Sequence, residues 1–301
     1  MIRAASFALL VLVAAPGAGA EQRRVALTFD DIPGIFSGGC PALAEQNRKI
    51  VTAIRRNRIP ALGLVNAPAR CGTASLAENY AIWLDGGIEL GNHTRFHRDF
   101  NRTPLEAYQA DTLAVEEVLG PLVEKRKGKL RYFRYPYLRS GTELPKKRAF
   151  EKFLRDEGYT NAPVTIDSDE YLYAAAYRRA IDKGDRALAK RVTDDYIRYM
   201  ESVFVFYEKL SRDTLGYELP QILLLHDNLL NAEHLDRLVA MARGRGYKIV
   251  STEEALRDPA YARQDAYTGS RGLSWLHRWA LDAGKPAPEQ PAAASWLVTR
   301  D

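Results

Sequence analysis

The sequence is poor in cysteine and in clustered positive charge, and it lacks repeats. Of 301 residues only two are cysteines, Cys40 and Cys71. They do not have the Cys-x-x-Cys spacing of a metal or redox site, so a sulfur-based zinc module is excluded. In an oxidising compartment the two could pair across a loop of about 30 residues, a link worth on the order of 3 kcal/mol. Paired and free thiols both stay open from sequence. The formal net charge is only +5; setting aside the first twenty residues, which carry Arg3, removes one charge and leaves +4. No dense Lys/Arg tract interleaves with aromatics, which argues against a nucleic-acid partner. No apolar run reaches the roughly 20 residues that span a bilayer, so no stable membrane insertion is expected. The lack of internal repeats excludes a solenoid.

What is present reads as a globular chain, 46% hydrophobic and 27% charged, long enough for one large domain or two small ones. The start, "MIRAASFALLVLVAAPGAGA", has a positive residue, an apolar run of about a dozen residues and small residues before Glu21, the pattern of a secretory signal peptide. Residues 1–20 are therefore expected to be cleaved after Ala20, with the mature protein periplasmic or secreted.

Seven short apolar runs read as buried strands: Arg24–Asp30, Pro60–Asn66, Ile88–His93, Leu130–Tyr137, Asn161–Asp167, Gln221–Asp227 and Tyr247–Thr252. Helical periodicity lies between most of them. "PALAEQNRKIVTAIRRN" puts Leu43, Ile50, Val51 and Ile54 on one stripe. Another helix is expected to open with Thr103 as N-cap and Pro104 at its first position. Alternating strands and helices predict a parallel sheet with helical crossovers, and seven units predict a closed or nearly closed (β/α) barrel. Tyr171–Gly216 is long, helical and rich in Tyr and Arg, and reads as two or more helices inserted as a cap or flank. The tail after Tyr261, with "AGKPAPEQPAAAS", is expected to be irregular.

Ionisable residues recur where the apolar runs end. Asp30 and Asp31 follow the first, His93 the third, Asp167 the fifth and His226 the sixth, and Arg134 lies in the fourth. In a parallel barrel those ends share one face, where active sites are built. His93 and His97 have an H-x-x-x-H spacing, which one helical turn, or a strand end turning into a helix, would place on one side. Two histidines and a carboxylate form a common facial site for zinc or a similar divalent ion. Such a cation also accounts for two adjacent carboxylates in "VALTFDDIPG": one can ligate, and the other can stay ionised beside it and serve as a base.

In order, "TFDD", "HTRFH", "RYPY", an Asp after a strand, and "LLLHD" resemble the NodB-type polysaccharide deacetylases, carbohydrate esterase family four. The resemblance spans roughly Arg24 to Thr252, within a domain expected over residues 21–261, ahead of a tail at 262–301. It implies a distorted (β/α) barrel of about seven parallel strands. It also implies metal-dependent removal of N-acetyl or O-acetyl groups from a glycan. By this resemblance Asp30 is the catalytic base, and Asp31, His93 and His97 hold the metal, with zinc the expected ion. Arg134 orients the base, and the backbone N–H of Tyr137 faces the oxyanion. Asp167 sets the charge state of the general acid His226, and Leu224 helps form the acetyl pocket. Two motifs depart from the family pattern. Ile32 stands where the family has Gly after its Asp pair. The fourth motif, usually Asp-x-x-Asp-Trp, reads "DSDEY", so that Glu170 and Tyr171 stand in and either Asp167 or Asp169 could hold the functional place.

Outside the motifs, His234 is expected at a helix surface and His277 in amphipathic packing. The Tyr-rich "EYLYAAAYRRA" reads as packing, with sugar stacking as the alternative. The expected partner is an acetylated glycan or oligosaccharide. The rival functions are a metallo-amidohydrolase acting on a small non-sugar amide and a non-catalytic glycan-binding barrel. The occupied acid, base and ligand positions speak against the last. A long open cleft would favour the polymer, and a cleft closed by the insertion the small amide.

Overall fold

Seven strands form a single parallel sheet in the computed structural model, which describes residues 22–35, 40–67 and 72–298, and each overlaps one of the apolar runs, although the fifth strand shares only Asn161 with the run expected over Asn161–Asp167. The expected export segment with its cleavage point before Glu21, and the side chains of Cys40 and Cys71, lie outside the described residues.

The strands are β1 (Arg24–Ile32), β2 (Ala61–Val65), β3 (Glu89–Asn92), β4 (Tyr132–Phe133), β5 (Thr160–Asn161), β6 (Gln221–His226) and β7 (Lys248–Val250). The spatial order is β5-β4-β3-β2-β1-β6, and β7 pairs with the start of β1. Val25 and Ala26 pair with β6 and β7 at once, while β2 takes over from Leu27. Thus β7 and β2 share one edge of β1. On the far side the chain leaves β5 and crosses to β6: the Ile166 N–H donates to the Ile222 carbonyl and the Leu224 N–H to the Ile166 carbonyl. This irregular bridge curls the sheet into a distorted barrel. The run expected over Leu130–Tyr137 pairs at only two residues, because Pro136 and the left-handed backbone at Tyr137 (φ 57°) and Leu138 (φ 53°) turn the chain out of the sheet.

Around the sheet lie α1 (Cys40–Asn57), α2 (Thr73–Asp85), α3 (Leu105–Leu113), α4 (Glu116–Glu124), α5 (Leu144–Asp156), α6 (Glu170–Asp182), α7 (Arg186–Leu215), α8 (Leu229–Gly244), the short α9 (Thr252–Ala255) and α10 (Trp275–Asp282). Leu43, Ile50, Val51 and Ile54 of α1 are all buried; each contributes about 1.5–3 kcal/mol in transfer terms. α3 starts at Leu105, later than the expected N-cap at Thr103, because the Thr103 hydroxyl donates backwards to the Asp99 carbonyl.

The interval from Tyr171 to Gly216 is spanned by α6 and α7. Asp185 caps α7 by accepting the Leu188 N–H, and Gly216 ends it at φ 87°, where a side chain would be strained. Val192, Tyr196, Val203 and Tyr207 form the buried stripe of α7. Both helices pack on α8, so the insertion flanks the barrel. The tail, expected to be irregular, contains α10, which packs on α7 and buries Trp275, Leu276 and Trp279. Apolar residues at helical spacing in "SWLHRWALD" outweigh the Pro-rich stretch that follows.

Candidate active site

Strand alternation separates the two adjacent carboxylates. Along β1, Val25, Leu27 and Phe29 join the core under the helices, while Thr28 and Asp30 point the other way, as period two requires. Asp30 is buried and pairs in register with His226 of β6. After Phe29 the β1–β2 register shifts, and Asp31 takes a left-handed backbone (φ 62°). Such a bulge re-aims a side chain, so neighbours in sequence meet different partners.

Asp30 is held by Arg134. The Arg134 guanidinium, with 0% exposure, donates through Nη1 to Asp30 Oδ1 at 2.6 Å and to Thr28 Oγ1 at 2.7 Å, and through Nε to the Ala162 carbonyl at 2.9 Å. These bonds leave Asp30 Oδ2 facing His93 Nε2 at 3.6 Å. Asp31 Oδ1 accepts from Asn66 Nδ2 at 2.8 Å and lies 3.4 Å from His97 Nε2 and 3.8 Å from His93 Nε2.

The His93–His97 spacing is not a helical turn. The segment is a loop in which Thr94 (φ 59°) and His97 (φ 52°) are left-handed. Each such residue costs of order 1–3 kcal/mol unless its surroundings hold it. Here Asp111 accepts the Arg95 N–H at its carbonyl and the Phe96 N–H at its side chain. The reversal brings the two imidazole rings to 5.0 Å.

One atom each of Asp31, His93 and His97 falls within 4.8 Å of the others, a possible three-ligand metal site. The donor chemistry fits a divalent ion. His93 Nδ1 sits 2.9 Å from the Arg134 carbonyl, which fixes the proton there and turns the Nε2 lone pair to the site. Burial, with the neighbouring His97 charge, lowers the His93 pKa to about 3 and keeps that lone pair free.

His226 faces the opposite need. Burial would lower its pKa, but the hydrogen bond to Glu170 and the carboxylates of Glu170, Asp31 and Asp30 raise it to about 9. Its Nδ1 lies 2.8 Å from Glu170 Oε2. The other oxygen, Glu170 Oε1, accepts from Asn228 and Asn231, each at 2.5 Å. The carboxylate that touches the histidine is therefore Glu170, the first residue of α6, and not Asp167 as the motif order implied. Asp167 is bonded to the Ser168 N–H at 2.8 Å, and burial raises its carboxyl to about 6. Asp169 caps the tail, accepting the Ala293 N–H.

Asp30, Asp31, His93, His97, Tyr137, Asp167, Leu224 and His226 all line one cavity of about 650 Å³. Arg134 lies beneath it. The Tyr137 ring packs edge-on against His97 at 4.4 Å. Tyr171, at the start of the insertion, also lines the cavity, whereas Tyr173 and Tyr177 are core. His277 is packing, bonded to Ser274 Oγ and the Pro288 carbonyl. His234 is half-buried against the Tyr177 hydroxyl rather than free at the surface. Asn66, which bonds Asp31, lies in no motif, and neither do Arg271 and Gly272, which bring the tail to the cavity rim. The Glu170 contact was foreshadowed only by its place in the fourth motif.

Residues 17–160 match the family model for polysaccharide deacetylase. The chain carries a NodB-type polysaccharide deacetylase domain. Enzymes of this family are hydrolases acting on carbon–nitrogen bonds in acetylated sugars, and they generally depend on a metal. No curated protein matches the chain significantly in sequence. Among solved structures, it is similar to a family 4 carbohydrate esterase pseudoenzyme from Bacillus anthracis, at 17% identity and a TM-score of 0.50, over 79% of this chain and 66% of that one. A mutant of that pseudoenzyme with restored enzymatic activity gives 18% identity, 79% and 69% coverage and the same TM-score. A peptidoglycan N-acetylglucosamine deacetylase matches at 16% identity and a TM-score of 0.50, over 79% of this chain and 89% of that one. At these identities the likeness is one of fold, and a pseudoenzyme among the matches means that fold alone does not imply turnover. Among the described residues no helix is long and apolar enough to cross a membrane.

Proposed function

We propose that this deacetylase is an exported, metal-dependent enzyme that removes N-acetyl groups from a glycan. The observation that carries the reading is the convergence of three separate devices in one cavity. They are an Asp–His–His donor set, a buried carboxylate locked by an arginine, and a histidine raised to about 9. Export rests on the pattern of residues 1–20.

Asp31, His93 and His97 would hold the cation, and the two imidazoles with one carboxylate suit zinc. A divalent ion there supplies Lewis-acid polarisation of the acetyl carbonyl and a more acidic water. Asp30, its Oδ1 held by Arg134, accepts the proton of the attacking water at Oδ2. As the water oxygen bonds to the acetyl carbon, negative charge develops on the carbonyl oxygen, and the Tyr137 N–H donates to it. His226, its Nδ1 committed to Glu170, donates the proton at Nε2 to the departing nitrogen as the C–N bond breaks. The products are acetate and a free amine.

The raised His226 favours an amide over an ester, since an amine leaves only when protonated, whereas an alkoxide of an activated ester does not need that help. The cavity joins a second one of about 490 Å³ through Asp167, Asp169, Arg271 and Gly272. α6 and α7 pack on α8, and of the two only the start of α6, at Tyr171, lines the cavity. An extended, open cleft supports an oligosaccharide over a small amide. Acetate release from N-acetylated oligosaccharides, O-acetylated glycans and small N-acetyl amides tests this. Turnover should be highest on the N-acetylated oligosaccharides, and a preference for small amides would overturn the glycan assignment.

A further inference from the structure

Tyr137 and Leu138 are consecutive non-glycine residues in the left-handed region, a conformation that persists only where neighbours impose it. The turn's own bonds, Leu138 N–H to the Tyr135 carbonyl and Arg139 N–H to the Pro136 carbonyl, are those of any tight turn. The Tyr137 ring also packs on His97, and Arg139 pairs with Asp99; a further restraint comes from the tail, more than a hundred residues away. Arg278 of α10, only 1% exposed, donates through Nη2 to the Leu138 carbonyl and through Nη1 to Ser140 Oγ at 2.8 Å. Its own orientation is fixed three ways. Nη1 meets Asp265 Oδ2 at 2.7 Å, Nε meets the Leu273 carbonyl at 2.9 Å, and the guanidinium stacks on the Trp275 ring at 3.9 Å. Asp265 is clamped from the other side by Lys147 Nζ at 2.6 Å. Gly272 presses on the same turn: a Cβ there would overlap the Tyr137 carbonyl oxygen.

We propose that Arg278, with Gly272, is a positioning device for the Tyr137 amide, so that the tail of the chain sets the oxyanion donor of the active site. This rests on the reading that the Tyr137 N–H faces the developing oxyanion. An arginine suits the task because its rigid planar fork holds a carbonyl, a hydroxyl and a carboxylate in fixed directions while its face stacks on Trp275, whereas a lysine ammonium is a rotatable point charge on a flexible stem. Neither residue touches Asp31, His93 or His97, and the turn reaches that set only through the Tyr137 ring edge on His97, so the tail should act on the rate of the chemical step far more than on metal binding.

The test uses the full chain and the variants Arg278→Ala, Arg278→Lys and Gly272→Ala. The readouts are steady-state acetate release, zinc titration and deuterium uptake by peptides covering residues 136–140. Loss of one oxyanion donor costs about 10²-fold or more in kcat. Arg278→Ala is expected to approach that loss with KM within about threefold of wild type, Arg278→Lys to recover part of it, and zinc affinity to be unchanged. Uptake should rise at 136–140 and not around His93 and His97. Should Arg278→Ala fail to fold, Gly272→Ala, which keeps Arg278, carries the same expectation. Unchanged kcat and unchanged uptake at 136–140 would overturn the proposal, as would a parallel loss of zinc affinity and protection across the molecule. If the wild-type chain releases no acetate, the functional reading fails by itself. Uptake at 136–140 then decides the positioning claim: a local rise supports it, and no change overturns it.

Discussion

Glu170→Gln should pull down the basic limb of the pH–rate profile. His226 is raised from 6.5 to about 9, roughly 2.5 pH units or about 3 kcal/mol at 1.36 kcal/mol per unit. Its side chain is 17% exposed and that of Glu170 1%, so solvent screens the pair little. A divalent ion on Asp31 would offset the pull of Asp31 and Asp30, whereas the Glu170 bond survives such loading. An imidazole at about 9 is about 90% protonated at pH 8, and one back at 6.5 is about 3% protonated. The variant should therefore lose at least about tenfold in kcat at pH 8 on an N-acetyl substrate and regain most of it near pH 6. Its basic limb should fall by about two pH units. Hydrolysis of an activated acetyl ester should change little, because that leaving group needs no proton. The stability sign follows from the same shift. A group raised in the folded state stabilises fully below its unfolded value of 6.5, and the contribution fades as pH rises through about 9. Wild-type melting temperature should thus fall more steeply between pH 6.5 and 9.5 than that of Glu170→Gln. A basic limb that stays in place would refute the argument.

Asp30→Asn should retain near-wild-type metal content while activity falls by at least about 10², since only proton acceptance is lost, and added metal should not restore it. Asp31→Asn should lose metal, measured by elemental analysis, and regain some activity in excess zinc. Arg134→Met should lower unfolding free energy by about 3–5 kcal/mol, because it strands the buried Asp30 carboxylate; denaturant titration would show it. If the first twenty residues are removed on export, mass spectrometry of the extracytoplasmic protein should find an N-terminus at or near Glu21.

The strands were legible because buried parallel strands read as short apolar runs, and the site because titratable residues interrupt the ends of those runs. Period two along β1 also explains why Asp30 points into the barrel. The bulge that turns Asp31 away was not legible, because a left-handed backbone at an aspartate leaves no pattern in composition. The same holds at Thr94 and His97, where a spacing that suggested a helical turn is met by a loop reversal. The role of Glu170 was ambiguous because "DSDEY" offers three carboxylates within four residues, and only the start of α6 decides which one reaches His226. The contribution of the tail was hidden for a different reason. Arg278 acts on Leu138 through a contact spanning 140 residues, and long-range pairings of one arginine with one carbonyl have no local signature.

A metal held by Asp31, His93 and His97 is proposed to drive hydrolysis of an N-acetyl group. The most direct measurement is acetate release from N-acetylglucosamine oligomers by chelator-treated protein, before and after titration with zinc. Activity should be lost on chelation and return in full at one equivalent of zinc per chain, with no return in the His93→Ala/His97→Ala variant. Release that is indifferent to chelation, or equal metal content in that double variant and the wild type, would contradict it.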